Sequence, residues 1–469
     1  MWWRFAKWVA TGLAVTVVGL AAAVEWRVLV PPPRPAATPA AVDPTRLTYP
    51  YGDALAVVRV SGDPYLRGWQ QGRLVGERVR AGYRAILGHV AAKVQSDLGL
   101  PAWLAGPLLD FIWWRGAPFV PRWFKEEMLG LADGAGIDYR TVCRVHAIPT
   151  LTEASCASFA ATSPMTRGPL IHLRNLDWAV ESGIQRVAQL TVVEPSRGEP
   201  FVNIGWSGFL GAVSGINRAG VSIAEITARS AARSMAGEPM VVRLRRVLQE
   251  ATELDRAVAI LAERRRTLGF NFVVAAARED RAAAVESNRA QVSVFRPGDP
   301  RETKGEVGPF AHTVTGVVLR SSLALDEEIR DAQLALDGDP ARPGLEPPRG
   351  SGYAVRYVRQ ADLLRASPAG VTVDRAKEIA LAIAPSSNLH SVIYAYPRLH
   401  VANATVATNT RDAARHAAKA ARQPYRAFDL RAWFTLPPPL PGTHLAAAAQ
   451  SEADPPGQHV PSPSGRSPG

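Results

Sequence analysis

Cysteine is almost absent from this sequence of 469 residues, which contains only Cys143 and Cys156. Two cysteines are too few for a disulfide framework, although a single Cys143–Cys156 bridge remains possible. The nine histidines are dispersed, and none stands in an HExxH or Cys-x-x-Cys arrangement. The sequence therefore predicts no metal site and no cofactor.

Acidic residues are fewer than basic ones, 42 against 54, which gives a formal net charge of +12. The arginines are scattered, and dense clusters such as Arg264 to Arg266 fall in helical patterns. No nucleic-acid motif accompanies them, so we expect no nucleic-acid partner. The basic balance equally favours contact with an anionic membrane surface.

A long uncharged apolar run occurs at the amino terminus, from Trp8 to Val24. Arg4 and Lys7 precede it, which predicts a single-pass signal-anchor with the body on the extracytoplasmic side of the membrane. A cleaved signal peptide and a secreted body are the alternative, because Ala21 to Ala23 offers small residues for cleavage.

After the amino-terminal run, the sequence predicts a linker, a folded body and a tail. A strand from Leu55 to Val60 leads to Asp63, the expected N-cap of a helix from Pro64 to about Val94. Helices come first, and antiparallel strands interleaved with helices follow, which predicts an α+β layered domain. We expect an anchor over residues 1–30, a Pro/Ala-rich linker over 31–46, two segments of the folded body over 47–155 and 156–436, and a disordered tail over 437–469.

Two local patterns in the first segment allow structural predictions. Gly68 and Gly72 are four residues apart, which predicts close packing of another element against that helix face. Residues 98–124 hold a crowd of aromatic side chains interrupted by prolines, too broken for a membrane span. A pair of core helices is one interpretation, and a membrane-facing surface is the other.

The stretch from Glu153 to Val180 contains Cys156, one of the two cysteines. Two β-prone runs are joined by a turn with proline and glycine, which predicts a hairpin. The hairpin would bring Arg174 and Asp177 back beside Cys156. A thiol, a guanidinium and a carboxylate would then meet at one sheet edge, although a buried structural cysteine is an equally valid interpretation of the spacing.

A cut between Ser155 and Cys156 would give this cysteine a free α-amino group. An amine with an unperturbed pKa of ~7.7–8.0 can act as base for the adjacent thiol at neutral pH. Asp177 would orient the ammonium group, and Arg174 would favour the thiolate.

The run CASFAAT followed by LIHLRNLDW resembles the nucleophile hairpin of amino-terminal-nucleophile cysteine hydrolases, in the branch of isopenicillin-N acyltransferase and acid ceramidase. Bile salt hydrolases and penicillin V acylases are more distant relatives. Further matches, from GDPYLRGWQQG to SVIYAYPRLHVANA, extend the resemblance over roughly Val57 to Trp433.

The resemblance implies a four-layer αββα sandwich, made as a precursor that cuts itself before Cys156 and whose two segments stay associated. It also implies hydrolysis or acyl transfer at a linear, often N-acyl, amide. Cys156 matches the nucleophile, Arg174 the arginine beside the thiol, and Asp177 the aspartate that holds the α-amino group. Glu225 matches a strand that lines the site.

One segment departs from the family pattern. Relatives carry an asparagine in a Thr-Asn-His type segment that donates to the oxyanion, and here Val314 stands in its place. Thr313, Thr315, His312 or a backbone N–H could substitute. Loss of one such donor costs on the order of 3 kcal/mol. Arg320 is the candidate for the family's late arginine.

Two other functions compete with a cysteine amide hydrolase. A catalytically weak or inactive, membrane-tethered ligand-binding relative would explain Val314. A serine hydrolase is the other, because Gly205 to Phe209 begins a nucleophile elbow, but the closing glycine is missing. For the enzyme, the anchor and the aromatic segment together predict a lipid-like N-acylated substrate met at the membrane surface.

Overall fold

The computed structural model describes residues 30–37, 41–52, 55–151, 155–303, 311–337, 352–405, 418–438, 440–443 and 445. The predicted signal-anchor and most of the predicted tail lie outside these ranges. Within them, no helix has both the length and the apolar character that crossing a membrane requires.

Fifteen strands lie in the described ranges, and their bounds follow the chain: β1 (Leu47–Thr48), β2 (Ala56–Gly62), β3 (Ser155–Ala161), β4 (Ile171–Asp177), β5 (Ala188–Pro195), β6 (Phe201–Trp206), β7 (Ser214–Asn217), β8 (Val221–Thr227), β9 (Phe270–Ala276), β10 (Arg281–Ser287), β11 (Val292–Phe295), β12 (Val317–Ser321), β13 (Asn388–Ala395), β14 (Arg398–Asn403) and β15 (Arg426–Asp429).

The α-helices of the same ranges are α1 (Pro64–Leu98), α2 (Ala105–Gly116), α3 (Arg122–Ala135), α4 (Tyr139–Ala147), α5 (Met240–Glu250), α6 (Leu254–Ala262), α7 (Pro300–Thr303), α8 (Glu327–Asp337), α9 (Gly352–Arg365) and α10 (Val373–Ile383).

Two sheets pack face to face between helices. The larger has nine strands in the order β1-β2-β5-β6-β7-β8-β9-β10-β11, and the smaller has six in the order β12-β3-β4-β13-β14-β15. Helices α5 and α6 cover the larger sheet, whereas α9 and α10 cover the smaller one, and β3, β4 and β12 contact β8, β9 and β10 between the sheets. This layering is the predicted αββα sandwich.

The central strands are buried on both faces, which explains their sequences. Every residue of β4, β8 and β9 is buried, because one face meets the opposite sheet and the other meets a helix. Strand β9 (FNFVVAA) accordingly is a nearly continuous apolar run, whereas β4 (IHLRNLD) and β8 (VSIAEIT) also carry polar residues. Polar side chains that occur there must therefore find buried partners.

Helices α1 and α3 approach each other so closely that glycine is required on both. A Cβ atom on Gly68 would lie 1.9 Å from the Glu127 carbonyl oxygen, and one on Gly130 would lie 1.9 Å from the Tyr65 carbonyl oxygen. The close packing predicted at Gly68 is confirmed.

The helix start at Asp63 differs in detail from the prediction. The helix does begin at Pro64, but the Asp63 side chain makes no cap hydrogen bond and instead accepts one from the Ser196 hydroxyl.

The aromatic segment divides between core and surface. Trp113 is 1% exposed, whereas Trp103 is 72% exposed and Phe111 is 38% exposed. The core interpretation is therefore confirmed for Trp113 on α2. Trp103, just before α2, and Phe111 present their rings to the solvent, and the membrane-facing interpretation stays a prediction.

The glycine contact between α1 and α3 can be tested by substitution. We expect Gly130→Ala to destabilise the protein by at least ~3 kcal/mol, because backbone rather than a movable side chain obstructs the new methyl group. Gly88→Ala is the matched control on α1, where nothing lies within 4 Å of the added Cβ. It should be neutral or stabilise by up to ~1 kcal/mol. Denaturant unfolding measures the free energy of unfolding of both variants, and equal values would contradict the predicted role of Gly130.

Candidate active site

The β3–β4 hairpin brings the three predicted site residues together. Ser155 lies opposite Asp177, Cys156 opposite Leu176, and Ser158 opposite Arg174 in the antiparallel register. Side chains on one face of an antiparallel pair are neighbours, and diagonal positions are within reach of a long side chain. The hairpin predicted from the sequence is confirmed.

Cys156 is fully buried and carries a free thiol, so the Cys143–Cys156 bridge is not formed. Burial raises the pKa of the thiol to about 11, with Glu225 and Asp177 adding to the rise. The Arg174 guanidinium and a hydrogen bond from the Asp177 backbone N–H act in the opposite direction. In this uncut chain the thiol is therefore protonated at neutral pH and needs a base to become a nucleophile.

Arg174 reaches from the smaller sheet to the larger one. Its Nη2 donates to Glu225 Oε2 at 3.3 Å, and its Nε donates to Ser214 Oγ at 3.3 Å. Glu225 Oε1 also accepts from the Thr227 hydroxyl at 2.9 Å. Burial raises the pKa of the Glu225 carboxyl despite the guanidinium beside it. The structure thus places Glu225 next to Arg174.

Asp177 is held by two residues that the sequence analysis did not identify. Asn388 Nδ2 donates to Asp177 Oδ1 at 2.9 Å, and Arg356 Nη2 lies 2.7 Å from Asp177 Oδ2. Burial raises the pKa of Asp177, while Arg356 and Asn388 lower it. Asn388 starts β13 and Arg356 belongs to α9, and neither position stands in a motif that could have identified it.

Ser322 is a further residue that sequence reasoning missed. The backbone N–H of Cys156 donates to Ser322 Oγ, with 3.5 Å between nitrogen and oxygen. Two buried amides fix the chain around this serine. Asn271 Nδ2 donates to the carbonyl oxygens of Ser321 at 2.9 Å and Leu323 at 2.7 Å, and Gln333 Nε2 donates to that of Ser322 at 2.6 Å.

Thr313 is not brought to the thiol. Strand β12 runs antiparallel to β3 with Val317 opposite Ala161 and Ser321 opposite Ala157, so residues before Val317 lie at the far end of β3 from Cys156. Thr313 lines a surface depression with Pro164 at the hairpin turn. The structure therefore places the segment with Val314 away from the thiol, and the inactive ligand-binding alternative stays a hypothesis.

Arg320 lies on β12 opposite Ser158 and is completely buried. Its Nε lies 2.7 Å from Glu286 Oε1, and its Nη1 pairs with Glu302. The described partners of the guanidinium are thus these two carboxylates and the Phe295 ring, and Cys156 is not among them.

The serine-hydrolase alternative finds no base at Ser207. Its hydroxyl donates to the Val187 carbonyl at 3.2 Å and to Gln189 Oε1 at 2.8 Å, and Arg78 donates to it. Among its described partners there is no histidine, so the arrangement lacks the nucleophile–base contact that such enzymes need.

An apolar cavity adjoins the thiol region. Leu176, which faces Cys156 across the hairpin, lines it together with Glu225 and Thr227. Most of its wall is apolar or aromatic: Tyr83, Ile86, Val145, Ile148, Pro149, Trp178, Ile184, Trp206, Phe209, Val213 and Met240. Apolar walls with a few polar groups at one end are typical of small-molecule sites.

Comparison with known proteins agrees with this geometry. A family model described as acyl-coenzyme A:6-aminopenicillanic acid acyl-transferase matches residues 165–304, a span that includes Arg174, Asp177 and Glu225. The resemblance to the acyltransferase branch of amino-terminal-nucleophile hydrolases is confirmed, and the α+β sandwich is the fold expected of that class.

The individual proteins that this chain resembles share low sequence identity with it. Protein dcd1B of Dictyostelium discoideum is 27% identical over 264 residues, which cover 52% of this chain and 53% of that protein. Protein dcd1A of the same organism is 26% identical over 275 residues, or 54% and 62% of the two chains. The chain thus spans somewhat more than half the length of these relatives.

A solved structure, the Caenorhabditis elegans ortholog of N-acylethanolamine-hydrolyzing acid amidase, shares 13% identity with this chain. Its TM-score is 0.38, and the match covers 58% of this chain and 100% of that one.

The ion pair on Asp177 gives a test of the site's construction. We expect Arg356→Gln to lower the free energy of unfolding by about 3–5 kcal/mol, because it leaves a buried carboxylate without its charged partner. Arg359→Gln, an exposed position on the same helix, removes the same charge and should change stability by less than about 0.5 kcal/mol. Urea denaturation measures the stability of both variants, and similar losses of stability would argue against a specific ion pair between Arg356 and Asp177.

Proposed function

We propose that this protein is a cysteine amidohydrolase or acyltransferase that cuts its own chain before Cys156 and then acts on linear N-acyl amides. The observation that carries the proposal is the placement of Arg174 and Asp177 around one buried thiol. The family match over residues 165–304 supports the same class of reaction.

The self-cleavage step begins with attack of the Cys156 sulfur on the Ser155 carbonyl carbon. As the carbon–nitrogen bond breaks, the thiol proton passes to the Cys156 nitrogen, and a thioester and a free α-amine result. Ser322 Oγ contacts that nitrogen and can rotate to hand it the proton. Water then hydrolyses the thioester, which gives a carboxylate on Ser155 and restores the thiol.

In the cut protein the new α-amine serves as the base. It takes the thiol proton, the thiolate attacks the substrate carbonyl carbon, and the leaving amine departs with the proton. The acyl group remains on Cys156 as a thioester until water or a second amine accepts it. Asp177 would hold the ammonium form, and Arg174 would stabilise the thiolate.

The apolar cavity supports an acyl chain as the part of the substrate that is recognised. Its walls come from both sides of the cut, since Ile148 and Pro149 precede Cys156 whereas Trp206 and Phe209 follow it. The two processed segments would therefore have to stay associated. The exposed rings of Trp103 and Phe111 support a lipid-like substrate met at a membrane to which the amino-terminal run anchors the protein.

The nucleophile assignment is tested by intact mass and by hydrolysis of a panel of N-acyl amides. We expect wild-type protein to yield two fragments, with a new amino terminus at Cys156, and to release free acid. Cys156→Ala should stay one chain and lose all hydrolysis, because neither the sulfur nor the cut remains. Cys143→Ala removes the other buried thiol and should behave as wild type. An uncut, inactive wild-type chain would refute the proposal.

The proton transfer by Ser322 is tested by the rate of self-cleavage after synthesis. We expect Ser322→Ala to slow the cut by roughly 100-fold, the lower end of what a positioned acid or base contributes. Ser287→Ala removes a buried hydroxyl whose described hydrogen bond goes to the Phe270 carbonyl, and it should cut at the wild-type rate. Equal rates for Ser322→Ala and wild type would remove the serine from the mechanism but leave Cys156 as nucleophile.

A further inference from the structure

A basic cleft of about 870 Å³ lies outside the Cys156 site. Four arginines line it, together with the ring of Phe119: Arg264, Arg265, Arg266 and Arg289. The first three follow the end of α6, and the fourth lies in the turn between β10 and β11. No carboxylate is among the described residues that line the cleft.

The loop after α6 is held in an unusual conformation. Arg265 has a φ of 65°, in the left-handed region that residues other than glycine seldom adopt. Its carbonyl oxygen accepts from the Glu238 N–H at 2.9 Å, and a Cβ at Gly237 would lie 2.3 Å from that oxygen. A strained position that neighbouring contacts enforce in this way is often associated with function.

Two of the arginines are fixed by the protein itself. Arg266 is buried, and its guanidinium donates to the carbonyl oxygens of Asn288 at 2.8 Å and Ala262 at 2.8 Å. The Arg265 guanidinium lies 5.1 Å from the centre of the Phe119 ring. Arg264 and Arg289 are exposed, as Arg265 is, but in the part of the chain that the structure describes their guanidinium groups have no partner.

The positive charge of the cleft is not neutralised by its acidic neighbours. Glu238 lies 3.1 Å from Arg243, and Glu263 lies 2.7 Å from Arg246, so both carboxylates are engaged elsewhere. Burial lowers the pKa of Arg266, and the charges of Arg243 and Arg289 lower it further. Like charges that converge on a concave surface raise the local concentration of anions.

We propose that this cleft binds a phosphate group, with Arg264 and Arg289 as the two direct ligands and Arg265 and Arg266 as the fixed positive wall. Guanidinium groups match the geometry of phosphate oxygens and form charge-assisted hydrogen bonds with them. The phosphate can come from free phosphate or from the headgroup of a phospholipid. The site goes beyond the proposed amide chemistry and does not depend on the cut at Cys156.

The test is calorimetric titration of the full-length protein in low salt with two probes, inorganic phosphate and monomeric dihexanoylphosphatidic acid. We expect binding to be weakened by about tenfold or more in the double variant Arg264→Gln/Arg289→Gln. The control is Arg73→Gln/Arg84→Gln, which removes two exposed arginines of α1 and the same net charge. It should alter the affinity by less than about twofold.

Each outcome distinguishes a source or rejects the site. Binding of both probes, with mutual competition, assigns the cleft to the phosphate group alone, whereas binding of only the lipid probe assigns it to a phospholipid headgroup. Absence of binding to wild-type protein, or equal weakening in the control variant, would overturn the proposal. The Cys156→Ala protein should bind as wild type does, so the result is independent of the nucleophile.

Discussion

The buried guanidinium of Arg174 is the interaction on which the centre of this protein depends. It stands on the smaller sheet and pairs with Glu225 on the larger one, and both side chains are hidden from solvent. A charge in such a place is costly unless it is paired and hydrogen-bonded, so the two sheets can pack in full only when Ser214 and Glu225 meet the arginine. The same contact fixes the positive charge beside the Cys156 sulfur. Arg174 therefore contributes both to the packing of the two sheets and to the environment of the thiol.

The sequence could predict the parts of the site that are local. The turn and the two-residue repeat of β3 and β4 determine which residues face each other, so Cys156, Arg174 and Asp177 could be brought together from spacing and a family resemblance. Asn388 and Arg356 could not, because they reach Asp177 from more than 170 positions away, and no local pattern records such a contact.

The segment around Thr313, which was expected to donate to the oxyanion, shows a different limit of prediction from sequence. A resemblance of residue types placed Thr313 at the thiol, but the direction of β12 decides which of its ends meets Cys156, and that end carries Ser322. Strand direction depends on the order of strands in the sheet, which short motifs do not contain. Helix packing was easier to predict, because two glycines four residues apart describe one face of a helix directly.

Strand β2 lies in the part of the chain before Cys156, yet it pairs in parallel with β5 and is the second strand of the nine-stranded sheet. A break in the backbone at Cys156 would leave those hydrogen bonds and the α1–α3 contact untouched. If the proposed cut occurs, two polypeptides would share one hydrophobic core and would separate only after denaturation. The pairing of β2 with β5 would then join two separate chains. A substitution that weakened this pairing would make folding depend on protein concentration, because the two chains would have to associate.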